Sequence, residues 1–157
     1  MKIGYKYHEV FMPFISVTRL RIRSIRYLLQ FVWQALASAR QAARAPGFLG
    51  GRIVRKARNT FWTVTAWNDF AAMKAYRDAG THRGAMPKLQ GWCDEASIVH
   101  WDQESSQLSD WPEAYRRMVS EGRQSKVKQP SQAQTAKQIA EPRLHGDEGK
   151  KLTLSNK

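Results

Sequence analysis

Four side chains within one short stretch could act on the same small molecule: Trp67, Tyr76, His82 and Arg83. An imidazole titrates near neutrality, so His82 can serve as a general acid or base, and its ring nitrogens can ligate iron. Trp67 and Tyr76 offer flat faces on which an aromatic substrate can stack. Arg83 offers a fork of donors for a carboxylate or propionate. Each also has a purely structural role open to it. A histidine just past a helix end can bond the free carbonyls there, paired aromatics can be core, and a lone arginine can be a solvated charge. His100 falls inside a strand pattern and is ordinary for a sheet residue. No metal-ligand spacing links it to His8, His82 and His145. A nucleophile–base pair, a phosphate-cradling glycine loop and a Cys/His cluster are all missing from the sequence, so hydrolase, nucleotide and zinc chemistry have no support.

The elements that must position these groups follow from periodicity. Phe14 to Arg23 alternates, with Thr18, Leu20 and Ile22 on one side and Arg19, Arg21 and Arg23 on the other, which is a strand with one buried and one solvated face. Ser24 can cap a helix over Ile25 to Ala43, whose apolar stripe is Ile25, Leu28, Leu29, Val32, Leu36 and Ala39. Arg40 and Arg44 complement its C-terminal dipole and Pro46-Gly47 stops it. Phe48–Lys56 and Asn59–Trp67 form a hairpin, with a bulge expected at Gly50-Gly51. Asn68 caps a second helix that carries Ala72, Met73 and Tyr76 and that Gly80 closes. Thr81 to Leu89 is a short helical or irregular extension, and Ala96 to Trp101 is the fourth strand.

The order βαββαβ is the ferredoxin-like, α+β pattern, with helices on one sheet face only. Phe61 or Trp62, together with Trp101, are poor residues to leave wet on the other face, so a second subunit is expected to cover it. The expected organisation is an N-terminal arm over 1–12, a ferredoxin-like domain over 13–103, and a short docking helix over 104–120 that uses Trp111, Tyr115 and Met118. A basic, mobile tail follows over 121–157, where no apolar period is left.

Charge is distributed unevenly over the 157 residues. The first 58 positions carry a net +11, positions 59–115 a net −4 and the remainder a net +6, for +13 in all. Such a field implies an anionic partner, an anionic membrane surface or a self-complementary interface, with plain solubility as the bland alternative. Arg19, Arg21, Arg23 and Arg26 beside Tyr27, Phe31 and Trp33 could dock on anionic lipid. Nucleic acid fits the charge, but no recognisable binding module carries it. The single cysteine, Cys93, excludes an intramolecular disulfide and is compatible with a reducing cytoplasm. Met1 to Phe11 lacks the apolar core of a signal peptide, and no run approaches the ~20 apolar residues that span a bilayer. A cytoplasmic chain, soluble or peripheral to the inner face of the membrane, is expected.

Thr63-Val64-Thr65-Ala66-Trp67-Asn68-Asp69, followed by Ala71-Ala72-Met73-Lys74-Ala75-Tyr76 and His82-Arg83, resembles the antibiotic-biosynthesis-monooxygenase group of the dimeric α/β-barrel superfamily. Pro46-Gly47-Phe48-Leu49-Gly50-Gly51 and Trp92-Cys93-Asp94-Glu95-Ala96 place the resemblance nearest an uncharacterised bacterial branch similar to spheroidene monooxygenase. It covers roughly residues 13–103 and bears on fold more than on chemistry. It implies a homodimer whose sheets pair into a barrel, and a pocket between sheet and helices bordered by Trp67, Tyr76 and His82 that takes an apolar or aromatic molecule. In such proteins the reaction, where there is one, is O2-dependent oxidation, either without a cofactor or, as in spheroidene-type relatives, with haem. His82 would then be the ligand or the acid/base. A non-catalytic binding or dimerisation domain of the same architecture is the competing reading.

Overall fold

The computed structural model describes residues 10–143 and 148–152. Most of the N-terminal arm, with His8, and His145 in the tail lie outside these residues. Strand β1 (Phe14–Ile22) is flanked by β3 (Thr60–Trp67) and β4 (Cys93–Asp102), and β2 (Phe48–Lys56) lies outside β3. Two short strands, β5 (Arg123–Gln124) and β6 (Lys150–Leu152), extend the two edges, giving an antiparallel sheet of order β5-β4-β1-β3-β2-β6. Val17 is in register with Val64 on one side and Val99 on the other. The hairpin turns on Arg58 and Asn59, both with left-handed backbone, and the pairing slips between Phe48 and Gly50 as expected of a bulge.

Helices α1 (Leu28–Arg44), α2 (Phe70–Arg77) and α3 (Gly80–Trp92) cover one sheet face. Phe14, Ala42, Phe48, Trp67 and Met73 form one cluster of this layer, and Ile22, Phe31, Phe61 and Cys93 another. Cys93 is a buried small hydrophobe whose thiol is pushed up to about 12 by burial, with the Asp94 charge adding to it. Helix α1 starts later than its pattern implies, after a single 3-10 turn over Ile25–Tyr27, and Ser24 caps that turn. Asp69 rather than Asn68 caps α2, its carboxylate accepting from the Ala72 N–H at 2.8 Å. Gly80 opens α3 in place of ending α2, with φ +54°, and of the helical or irregular extension expected over Thr81 to Leu89 the helical form is found, with Pro87 inside it.

The other sheet face, over which a second subunit is expected, is covered within the chain by the docking helix expected after the fourth strand. Helix α4 (Trp111–Glu121) lies on it, and Trp111, Ala114 and Met118 pack into Ile15, Val17, Trp62, Val64, Ala66, Val99 and Trp101. Asp110 caps α4 with Pro112 in its first turn. Residues beyond Glu121 then run along β4, although their composition offers no apolar period. The short helix α5 (Gln132–Thr135) places buried Gln134 against Ala96, taking its N–H and donating to its carbonyl, both at 3.2 Å. Polar pairing with β4 holds this segment, and Val127 and Ile139 add isolated apolar contacts to the core.

The closed face also changes the role of the strand arginines. Arg19 is only 3% exposed and its guanidinium lies 2.7 Å from Glu95, while Arg21 pairs with Glu95 at 2.8 Å and Asp94 at 3.2 Å. Arg23 donates to the Gly91 carbonyl and to Tyr27 Oη. These three are thus internal partners and not a lipid-facing stripe. Strand β4 begins at Cys93, three residues before the expected Ala96, and carries inside it the Asp94 and Glu95 that pair with Arg19 and Arg21.

Candidate functional site

Three of the four expected site residues converge. Trp67 ends β3 and its ring stacks on Tyr76 of α2, with centroids 4.9 Å apart and an interplanar angle of 27°. His82, in the first turn of α3, packs on Tyr76 at 4.8 Å. The column is tight. Trp67 is fully buried and its Nε1 donates to Thr65 Oγ1 at 3.0 Å. Tyr76 Oη donates to the Ser38 carbonyl at 3.1 Å, and burial raises its pKa well above the ordinary phenol value.

His82 is held in one tautomer. Burial lowers its pKa below 6.5, a shift that the bond to the Arg77 carbonyl opposes only in part, so the ring is neutral at pH 7. Its Nδ1 lies 3.2 Å from that carbonyl, which can only accept, so the proton sits on Nδ1. Nε2 keeps its lone pair, with no protein donor on it among the described residues. Gln41 of α1 fixes the backbone around the ring: its Oε1 accepts from the His82 N–H at 2.9 Å, and its Nε2 donates to the Tyr76 and Ala79 carbonyls at 3.0 and 2.8 Å. Arg83 is exposed and takes no part in the column.

Open space lies beside this column and not inside it. A groove of about 750 Å³ runs between the C-terminal half of α1 and α2. Small side chains make its walls, Ala37 from α1 and Ala45 just past its end, and Ala72, Ala75 and Ala79 from the α2 side, with Tyr76 and Thr81 at the end nearest His82. Gly47 lets the two helices approach: a Cβ there would lie 2.7 Å from the Ala72 Cβ, and its φ of +82° suits glycine. Arg40 and Arg44 stand at the rim, while Asp69 is occupied as the α2 cap. Sequence reasoning gave these two arginines to the helix dipole and missed the groove. The available signal was their spacing of four, which puts both on one helix face, interleaved with Ala37 and Gln41. A flat apolar body with an anionic group fits this lining.

Haem does not fit the residues present. His82 is not part of the groove lining, and Trp67 and Tyr76 are in ring contact with no slot between them. Among the described residues no group of three or more His, Cys, Asp and Glu side chains could hold a metal ion.

No protein-family model matches the chain, and no curated protein matches it in sequence. Solved structures do match its fold. A Deinococcus radiodurans protein described as a candidate antibiotic biosynthesis monooxygenase aligns with a TM-score of 0.53 at 14% identity, covering 60% of this chain and 95% of that one. A protein of the same description from Nitrosomonas europaea aligns at 0.51 and 13%, covering 59% and 89%. A conserved protein from Methanosarcina mazei Go1 gives 0.52 and 10%, covering 59% and 93%. The alignments thus take in nearly all of each neighbour and leave a large part of this chain unmatched. At such identities the likeness is one of fold: the chain has the ferredoxin-like α+β fold of the antibiotic-biosynthesis-monooxygenase-like proteins.

Proposed function

We propose that the chain binds an apolar or aromatic small molecule bearing an anionic group in the groove between α1 and α2. The observation that carries this reading is the pairing of alanine walls with Arg40 and Arg44 at the rim of a groove of about 750 Å³. Small side chains leave room for a flat ring, and two guanidinium groups unpaired among the described residues answer its charge.

Where the protein is catalytic, the proposed reaction is O2-dependent oxidation of that molecule, by likeness to neighbours described as candidate monooxygenases. His82 is the residue proposed for proton removal. It is neutral, its Nε2 is free to accept, and Thr81 beside it lines the groove. Deprotonating a hydroxyaromatic ring enriches it in electrons, which favours its direct reaction with O2. A binding domain without catalysis is the second reading, favoured by the packing of His82 behind Tyr76 and outside the groove lining.

Titration with a hydroxynaphthoate, followed by tryptophan fluorescence, tests the groove. Binding is expected in the wild type and not in Ala75→Phe, which fills the groove from an exposed position, and Arg44→Ala should lower affinity roughly tenfold. Equal binding by all three proteins would reject the site. Oxygen uptake with the bound ligand then separates the readings: uptake lost in His82→Asn supports the oxygenase, and binding without uptake supports the binding domain.

A further inference from the structure

The outer face of α1 carries a line of side chains that the fold does not use. Ile25, Leu29 and Trp33 are 78%, 81% and 69% exposed, and Leu36 is 41% exposed. The spacing of four and three keeps Leu29, Trp33 and Leu36 on one side of the helix, the same line continues into Arg40 and Arg44, and Ile25 precedes it in the 3-10 turn. The helix buries Phe31, Gln34 and Ala42 instead. Next to it, α3 exposes Arg83, Met86 and Lys88 and carries no acidic residue. Between residues 10 and 68 there is no carboxylate at all.

We infer that this face docks on an anionic lipid surface. The Leu29 and Trp33 end of the helix lies outside the groove and offers little shape for a protein partner to match, whereas a bilayer interface needs none. It accepts a row of apolar side chains with tryptophan among them and rewards arginines at the headgroup level. A second copy of this chain fits less well. Pairing α1 with α1 would set Arg26, Arg40 and Arg44 against one another, and the helix has no acid to answer them. The inference stands on Leu29 and Trp33, which lie outside the ligand groove, so it holds or fails independently of the ligand.

Co-sedimentation of the full chain with phosphatidylcholine vesicles, with and without phosphatidylglycerol, tests it. Binding is expected only to the anionic vesicles and should weaken as salt rises. Trp33→Glu should reduce it roughly tenfold or more, and Leu29→Gln should reduce it less. Both positions are exposed, so each variant should keep the wild-type circular dichroism and Tm, which separates lost docking from lost folding. Three outcomes overturn the inference: no binding to anionic vesicles at low salt, equal binding by wild type and Trp33→Glu, and a dimer in size-exclusion chromatography that Trp33→Glu dissolves while vesicle binding is absent. The last would assign the face to a second copy.

Discussion

Replacing Trp111 by alanine tests whether α4 is core or accessory. Trp111 is fully buried against the sheet, and its Nε1 donates to the Glu148 carbonyl at 2.6 Å. A buried tryptophan removes about 200 Å² from water, and at ~25 cal/mol/Å² the transfer contribution is about 5 kcal/mol. Partial collapse of the cavity returns some of this, and losing the hydrogen bond costs about 1 kcal/mol. The expected destabilisation is about 4 kcal/mol, comparable with the lower range of total domain stability. For a chain of this size that lowers Tm by about 10 °C. Differential scanning calorimetry measures it, and dye binding to exposed apolar surface gives a second readout, because loosening α4 uncovers Val17, Trp62 and Trp101. A Tm within about 2 °C of wild type, without added dye binding, would refute the placement of α4 as core.

Two further outcomes concern acid. For Glu95, burial alone would raise the pKa, but bonds from Arg19 and Ser131 outweigh it and hold the carboxyl below its ordinary value of 4.5. A depressed carboxylate contributes stability that is present above the unfolded pKa and lost as pH falls through the folded one. Glu95→Gln should therefore be strongly destabilised at pH 7 and flatten the acid limb of a Tm-against-pH curve below about 4.5. An unchanged acid limb would contradict the buried pairing. His82 and His100 are both lowered from 6.5, chiefly by burial, so the native chain resists protonating them and loses stability as pH falls below 6.5. Imidazole NMR titration should place both midpoints under 6.5, and a His82 midpoint at or above it would remove the case for a neutral ring.

The elements were legible because their patterns are local. The alternation of Phe61 to Trp67 assigns Trp62, Val64 and Ala66 to one face and Phe61 and Trp67 to the other, and the two cores divide in that way. The order of strands and helices followed from the same signal. What stayed hidden depends on partners distant in sequence. Arg19 alternates like a solvated residue, yet Glu95 waits for it across the sheet, itself bonded by Ser131 at the start of α5, which arrives later in the chain. Helix α1 shows the same failure in reverse. Its periodicity points Leu29 and Leu36 inward, but Gln34 donates to the Thr81 carbonyl and Gln41 to the Tyr76 and Ala79 carbonyls, and these bonds set the rotation of the helix. Hydropathy treats glutamine as an outward residue and cannot register that it docks one helix on another. For the site, the sequence groups His82, Tyr76 and Trp67 as the border of a pocket, whereas they pack as a column, and nothing local distinguishes a packed column from a lined cavity.

Closing the sheet with α4 has a consequence for where function can lie. An open sheet face could hold either a ligand or a partner, and Trp62 and Trp101 would be its natural contacts; here both are spent on Trp111 and Met118. The remaining surfaces of suitable chemistry are in the helix layer, where Gly47 and Ala72 set the width of the groove and Arg40 stands both at its rim and on the outward line of α1. Gln41 couples these places, since one side chain ties α1 to the joint between α2 and α3 that carries His82. A shift of α1 along its axis would strain three hydrogen bonds at the site at once. Gln41 thus ties the placement of α1 to the backbone that carries His82, whereas α4 lies on the opposite face of the sheet.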